Sequence, residues 1–270
     1  MTSTPTLTDR TALMRYRARA QTEALFLHHT ARDEVEDRLT LVNRAFTHAA
    51  VVTPFAQVWD GFEAHVVGDG DLLELEPGAH DLVIHAMGLH WANDPLGQII
   101  QCLRALRPDG LFLAVMLGGQ TLHELRAALA EAEIQATGGI SPRVAPMGEI
   151  RDLGALLQRA GLALPVADSL PLTASYASPL HLMHELRAMG EANALAGRLR
   201  HATRRDVMLG AVARYVEAFG QDDGRVPATY ELIFLHGWAP DASQPKPLRP
   251  GSATARLADV LGTAETPLKD

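Results

Sequence analysis

The chain has 270 residues, 47% of them apolar and 21% charged, with a net charge of −8 and a single cysteine. That length can bury a substantial core, as one large domain or a domain with an insertion. The acidic balance excludes a non-specific nucleic-acid binder, which needs a positive surface, and one cysteine, Cys102, excludes an internal disulfide or a thiolate metal cage. A reducing compartment follows, so a cytoplasmic location is expected. The opening MTSTPTLTDR has no apolar signal-peptide core. The longest apolar run, Leu111–Leu117, is too short to span a bilayer. A cluster of Arg198, Arg200, Arg204 and Arg205 reads as a solvated helix face.

In chain order, residues 1–10 read as a loose tail. From Thr11 to about Val42 the pattern is helical, with Leu25, His28, His29, Arg32, Val35 and Leu39 as an incomplete stripe. Residues 1–45 are taken as an N-terminal helical segment and 46–270 as the main domain. His48–Thr53 reads as a short buried strand ended by Pro54. Val66–Val67 opens a second strand, closed by Gly68 and Gly70. Asp81–Met87 is a continuous apolar run that suits a strand covered on both faces. Leu96, Ile99, Ile100, Leu103 and Leu106 follow at helical spacing. Pro108-Asp109-Gly110 forces a turn, and Leu111–Leu117 returns as a strand, completing a βαβ unit.

Beyond Gly118-Gly119, Leu122, Leu125, Leu129 and Ala132 mark a helix, and Gly138–Pro146 a loop. Asp152–Ala160 reads as a helix stopped by Gly161. Val166–Tyr176 reads as a strand, with Pro171 suggesting an edge position or a bulge. Ser178-Pro179 then opens a helix as cap and first residue. A second helix carries Val207, Ala211, Tyr215 and Phe219. Thr229–Trp238 is the last strand, and the segment from Pro240 tracks the surface. The pattern predicts an α/β fold with a mostly parallel sheet, an antiparallel edge and a helical insertion at about 178–222, before the last strand. Ligands of such sheets bind beyond the carboxyl ends of the strands, which here places Gly68–Asp71 and Ala86–Trp91 at the mouth.

The run VVGDGDLLELEPGAHDLVIHAMGLHWANDPLGQIIQCLRALRPDGLFLAVMLGGQTLHELRAAL resembles the class I S-adenosylmethionine-dependent methyltransferases. Within them it is most similar to the mitochondrial complex I assembly-factor family and its bacterial relatives. GGISPRVAPMGEIRDLGALLQRAGL, ELRAMGEANAL, GRVPATYELIFLHGW and RPGSATARL continue the likeness, and DRTALMRYRARA extends it more weakly. The resemblance implies a Rossmann-like fold, S-adenosylmethionine as cofactor and a protein partner, in the mitochondrial case a complex I subunit hydroxylated on an arginine. It implies Asp69 and Gly70 on the adenine side and His85, Ala86 and Met87 in the cofactor-facing loop. Leu89-His90-Trp91 matches the family's LHW, with His90 and Trp91 toward the substrate.

The first half departs from the family pattern. Thr53-Pro54-Phe55 stands where the glycine loop belongs. Only 13 residues, Thr53 to His65, separate Val52 from Val66, too few for a helix, a strand and another helix. The ribose-binding acid has no counterpart, so a truncated first half and weak or absent cofactor binding are expected. Two functions remain in play: a methyltransferase-like enzyme acting on a protein, or a non-catalytic scaffold for assembly.

The residues themselves leave alternatives open. Asp69 is either a ligand contact or a turn acid. His85 and His90 are either acid–base groups or hydrogen-bonded structural imidazoles. Trp91 suits packing better than stacking. His181 and His184 share a helical face but lack a third ligand, so no metal is expected. No catalytic residue can be named.

Overall fold

A computed structural model of the chain describes residues 6–245 together with 262 and 263. Six strands form one sheet: β1 (Ala49–Val52), β2 (Ala64–Val67), β3 (His80–Ala86), β4 (Leu106–Leu117), β5 (Ala163–Tyr176) and β6 (Val226–Trp238). Their order is β2-β1-β3-β4-β6-β5. β2, β1, β3 and β4 pair in parallel, and β6 runs antiparallel to both β4 and β5. This is the mostly parallel sheet with an antiparallel edge that the patterning predicts. Pro171 sits on the edge strand β5, where a missing donor costs least.

Side-chain alternation explains why the central strands are apolar throughout. Val51, Ile84, Leu113, Val115 and Phe234 face one core; Val52, Val83, Phe112, Ala114 and Leu235 face the other. The second core is closed by α3 (Pro95–Ala105) and α5 (Ile150–Ala160) through Ile99, Cys102, Leu153 and Leu157. The first is closed by α2 (Phe26–Leu41) and α4 (His123–Thr137), joined by α6 (Pro179–Ala188) and α7 (Arg205–Phe219), which lie in the chain between β5 and β6.

The truncation has a visible consequence. β1 connects to its parallel neighbour β2 through eleven residues holding only a 3₁₀ turn, Ala56–Trp59. Parallel neighbours ordinarily need a helical crossover. Here α2, which precedes β1, packs on the turn instead, and Arg32 donates to the carbonyls of Val58 (2.6 Å) and Asp60 (3.0 Å). A charge-assisted side chain thus ties down what a crossover helix would cover.

Three sequence expectations need correction. Residues 6–9, read as tail, are docked: Thr8 is buried and bridges Leu195, and Asp9 caps α1 (Arg10–Arg17) by accepting from the Ala12 amide. Asp9 also accepts from Arg198 and Arg200, which lie in the loop before α7 and not on a helix. β4 starts at Leu106, before the predicted Pro-Asp-Gly turn, because Leu106 already pairs with His80; the turn becomes a bulge with Asp109 left-handed (φ 59°). The compact unit ends at Pro240. Most of the predicted C-terminal tail, including RPGSATARL, lies outside the described residues.

Ser178 caps α6 as its sequence position requires, accepting from the His181 amide at 3.2 Å. Ser178→Ala is expected to cost about 1 kcal/mol in urea unfolding; an unchanged midpoint would mean the cap contributes nothing.

Candidate functional site

The predicted site residues converge at the carboxyl ends of β2 and β3, and all but the half-buried Gly70 are buried. Asp69 follows β2. Its carboxylate pairs with Arg17 of α1 at 2.7 Å, both side chains under a tenth exposed, and with Arg10 at 3.7 Å. Arg10 also donates to the Asp69 carbonyl. Gly70 offers its carbonyl to Gln98 Nε2 at 2.8 Å. That bond orients the amide, so Gln98 Oε1 accepts from His85 Nε2 at 2.8 Å. His85 is fully buried. Burial lowers its pKa to about 4 against the opposing Gln98 bond, so the ring is neutral.

Ala86 and Met87 are core residues, and Met87 adopts φ 54°, a strained conformation for a side chain of its size. The strand ends tightly there. A Cβ on Gly88 would lie 2.8 Å from Asp69 Oδ2, so only glycine lets this loop meet the ion pair. His90 and Trp91 lie in a 3₁₀ turn, Leu89–Trp91, and both face Glu191. Trp91 Nε1 donates to Glu191 Oε2 at 2.6 Å, and His90 Nε2 is 3.6 Å from the same oxygen.

Glu191, His28, Arg10 and Arg17 are the members that residue-by-residue reading missed. Burial opposes the charge on Glu191, yet His90, Arg17 and His28 hold its carboxyl down to about 2. Burial takes His28 to about 4, against the pull of Glu191. Signals existed: Glu191 lies in the ELRAMGEANAL run, and both arginines lie in DRTALMRYRARA. What the sequence could not show is that the two segments meet.

These residues do not fit S-adenosylmethionine in a class I cradle. Beyond β1, Thr53 and Phe55 are buried, and His28 stands edge-on to the Phe55 ring at 4.8 Å, where a glycine loop would leave room for the cofactor's tail. The acid matching the adenine side is already committed to two guanidinium groups. The cluster holds no activated nucleophile: Cys102 is buried on the opposite core, which pushes its thiol pKa up.

A cavity opens on the other side of Glu191. It has about 210 Å³ and is walled by Leu27, Leu122, Leu129, Met183, Met208 and Tyr230, with Trp91, Arg143, Arg187 and Glu191 also lining it; Arg143 is paired with Glu133. Leu122, at the start of α4, carries a left-handed backbone (φ 54°). Glu191 Oε1 has no hydrogen-bond partner, and the carboxylate side chain is only 5% exposed. An unmatched carboxylate oxygen in a largely apolar wall is polarity that the fold itself leaves unsatisfied. His181 and His184 are exposed on α6, and no group of three metal-ligating side chains occurs among the described residues. No helix among them is long and apolar enough to cross a membrane.

Comparison with known proteins agrees with this architecture. The family model described as a methyltransferase domain matches residues 20–114. The mitochondrial arginine-hydroxylase NDUFAF5 of Danio rerio is 39% identical over 195 residues, 72% of this chain and 60% of that protein. The malonyl-[acyl-carrier protein] O-methyltransferase of Halorhodospira halophila is 35% identical over 173 residues, 64% of this chain and 57% of that one. The chain thus spans about 60% of the length of the curated relatives it matches. Among solved structures, phosphoethanolamine N-methyltransferase 2 of Haemonchus contortus, in complex with S-adenosyl-L-methionine, is 12% identical with a TM-score of 0.43, covering 77% of this chain and 53% of that one.

Proposed function

Because the chain is a class I methyltransferase-like protein, related to the mitochondrial arginine hydroxylases and to bacterial carrier-protein methyltransferases, we propose that it is a non-catalytic binding protein that seats an arginine side chain of a protein partner against Glu191. The observation that carries this reading is the unpartnered, buried Oε1 of an ionised Glu191, a residue that lines a largely apolar cavity. A guanidinium supplies several donors on a planar fork behind an apolar stem. The stem suits the leucine and methionine walls, and the fork suits the carboxylate. Relatives named for acting on arginine support the same choice.

The closed cradle argues for binding without cofactor chemistry. In this reading the Arg17–Asp69 pair has replaced the adenine contact. The resemblance to complex I assembly factors makes a respiratory-complex subunit the natural partner. A single cysteine, buried and unpaired, is compatible with a reducing compartment, and the cytoplasm is kept as the proposed location on that ground.

Titration calorimetry tests both halves. S-adenosylmethionine at millimolar concentration is expected to give no heat and no shift in thermal midpoint, since a ligand that binds the native state must stabilise it. A micromolar dissociation constant would restore the enzyme reading. An arginine-containing peptide is expected to bind, and Glu191→Gln to weaken it at least about tenfold, as loss of a buried charge-assisted bond requires.

A further inference from the structure

The cavity does not end at Glu191. Arg187 and Ala192 line both it and a neighbouring cleft of about 530 Å³ formed with Tyr16, Arg19, Gln21 and His184. Tyr16 and Arg19 in turn line a third cleft of about 250 Å³ with Arg15, Arg198 and Arg200. The three form a continuous track across α1, α6 and the loop before α7.

The charge along this track is one-sided. No acidic residue lines either outer cleft. Arg19 and Arg187 are exposed and make no ion pair among the described residues. Asp9 is the neighbouring carboxylate, and it is already shared between Arg198 at 3.0 Å and Arg200 at 2.9 Å. In a chain of net charge −8 this is a local concentration of the opposite sign. Arginine and tyrosine are also the side chains that dominate interface energetics.

We infer that the track recognises acidic residues flanking the bound arginine, so that the partner segment is a cationic residue set beside carboxylates. This rests on the proposed seating of arginine at Glu191 and deepens it. Guanidinium forks grip carboxylates in bidentate pairs. The alternation of sign is what selects a protein segment. A uniformly anionic surface over the clefts would also bring negative charge to Glu191; a segment carrying both signs matches each in turn.

Short fluorescein-labelled peptides test it by anisotropy against the intact protein: a central Arg or Ala, each flanked by Glu or by Gln. The Arg peptide with Glu flanks is expected to bind about tenfold more tightly than its Gln counterpart, with affinity falling as salt rises. The double variant Arg15→Glu/Arg19→Glu, at positions that line only the outer clefts, is expected to erase that preference while leaving the thermal midpoint and the gain from the central Arg unchanged. Equal affinity for Glu and Gln flanks overturns the inference, as does absence of binding by every peptide. A preference for Glu flanks without any gain from the central Arg keeps the acidic recognition and overturns the seating at Glu191. Binding of phosphatidylglycerol vesicles that the double variant abolishes, with no preference among peptides, assigns the track to lipid and overturns it too.

Discussion

Replacing Asp69 with alanine is expected to destabilise the protein by about 3–5 kcal/mol, the usual cost of stranding one member of a buried ion pair. The geometry behind this is specific. Arg17 is 2.7 Å from the carboxylate with 8% of its side chain exposed, and its Nε and second terminal nitrogen already lack partners. Removing the acid would leave a guanidinium in a buried cluster with little to bind. Against a total stability of about 5–15 kcal/mol for an ordinary domain, such a loss is a large share. The pair need not be net stabilising: replacing both members with apolar residues, as in Asp69→Leu/Arg17→Met, is expected to recover most of the loss. Urea unfolding of both singles and the double measures this as a coupling energy. An Asp69→Ala protein within about 0.5 kcal/mol of the parent would mean the carboxylate is spare, and the closed-cradle reading would fall with it.

Acid is expected to weaken the fold well above the pH where carboxylates titrate. His28 and His85 are both held near pKa 4 by burial, whereas an unfolded histidine titrates near 6.5. A depressed folded pKa means that, as pH falls, the unfolded chain takes up protons first. The stabilisation is therefore complete above about pH 6.5 and is lost as pH drops toward 4, at up to about 1.4 kcal/mol per unit for each ring. Glu191, held near 2, acts in a lower window: its contribution is present above about pH 4.5 and is lost below it. Urea midpoints taken between pH 6.5 and 5 isolate the histidines. His28→Phe, which keeps a ring against Phe55, is expected to reduce the slope in that interval, leaving the share of His85, His80 and His236, whose pKa values burial also lowers. An unaltered slope would show that His28 is not protected from protonation.

Much of the architecture was legible. Every strand announced itself through burial on both faces or through its punctuation: Pro54 after β1, Gly68 after β2, Gly88 after β3, Gly118 after β4. Such signals are local, since a proline or glycine acts on its own dihedrals. The N-terminal reading that needed correction failed for the opposite reason. Thr8 and Asp9 look like tail because, apart from the Asp9 cap on the Ala12 amide, their partners are distant in sequence: Leu195, Arg198 and Arg200. The Pro-Asp-Gly turn was right as chemistry and incomplete as structure, because the pairing of Leu106 with His80 reaches past it.

The site divides the same way. Asp69, His85, His90 and Trp91 could be singled out because a family pattern and flanking glycines mark them. Their roles could not be read. Whether a carboxylate meets a ligand or an arginine depends on which distant segment reaches it first, and α1 reaches Asp69 from more than fifty residues away.

From its sequence alone this chain is an α/β protein of methyltransferase type with no glycine loop after its first strand, because backbone geometry and side-chain period are properties of short stretches. Only the folded chain decides that the emptied cradle is closed by Arg10, Arg17, His28 and Phe55, and that Glu191 stands charged beside an apolar chamber. Burial and long-range charge pairing set those outcomes, and neither exists until segments far apart in the chain come together.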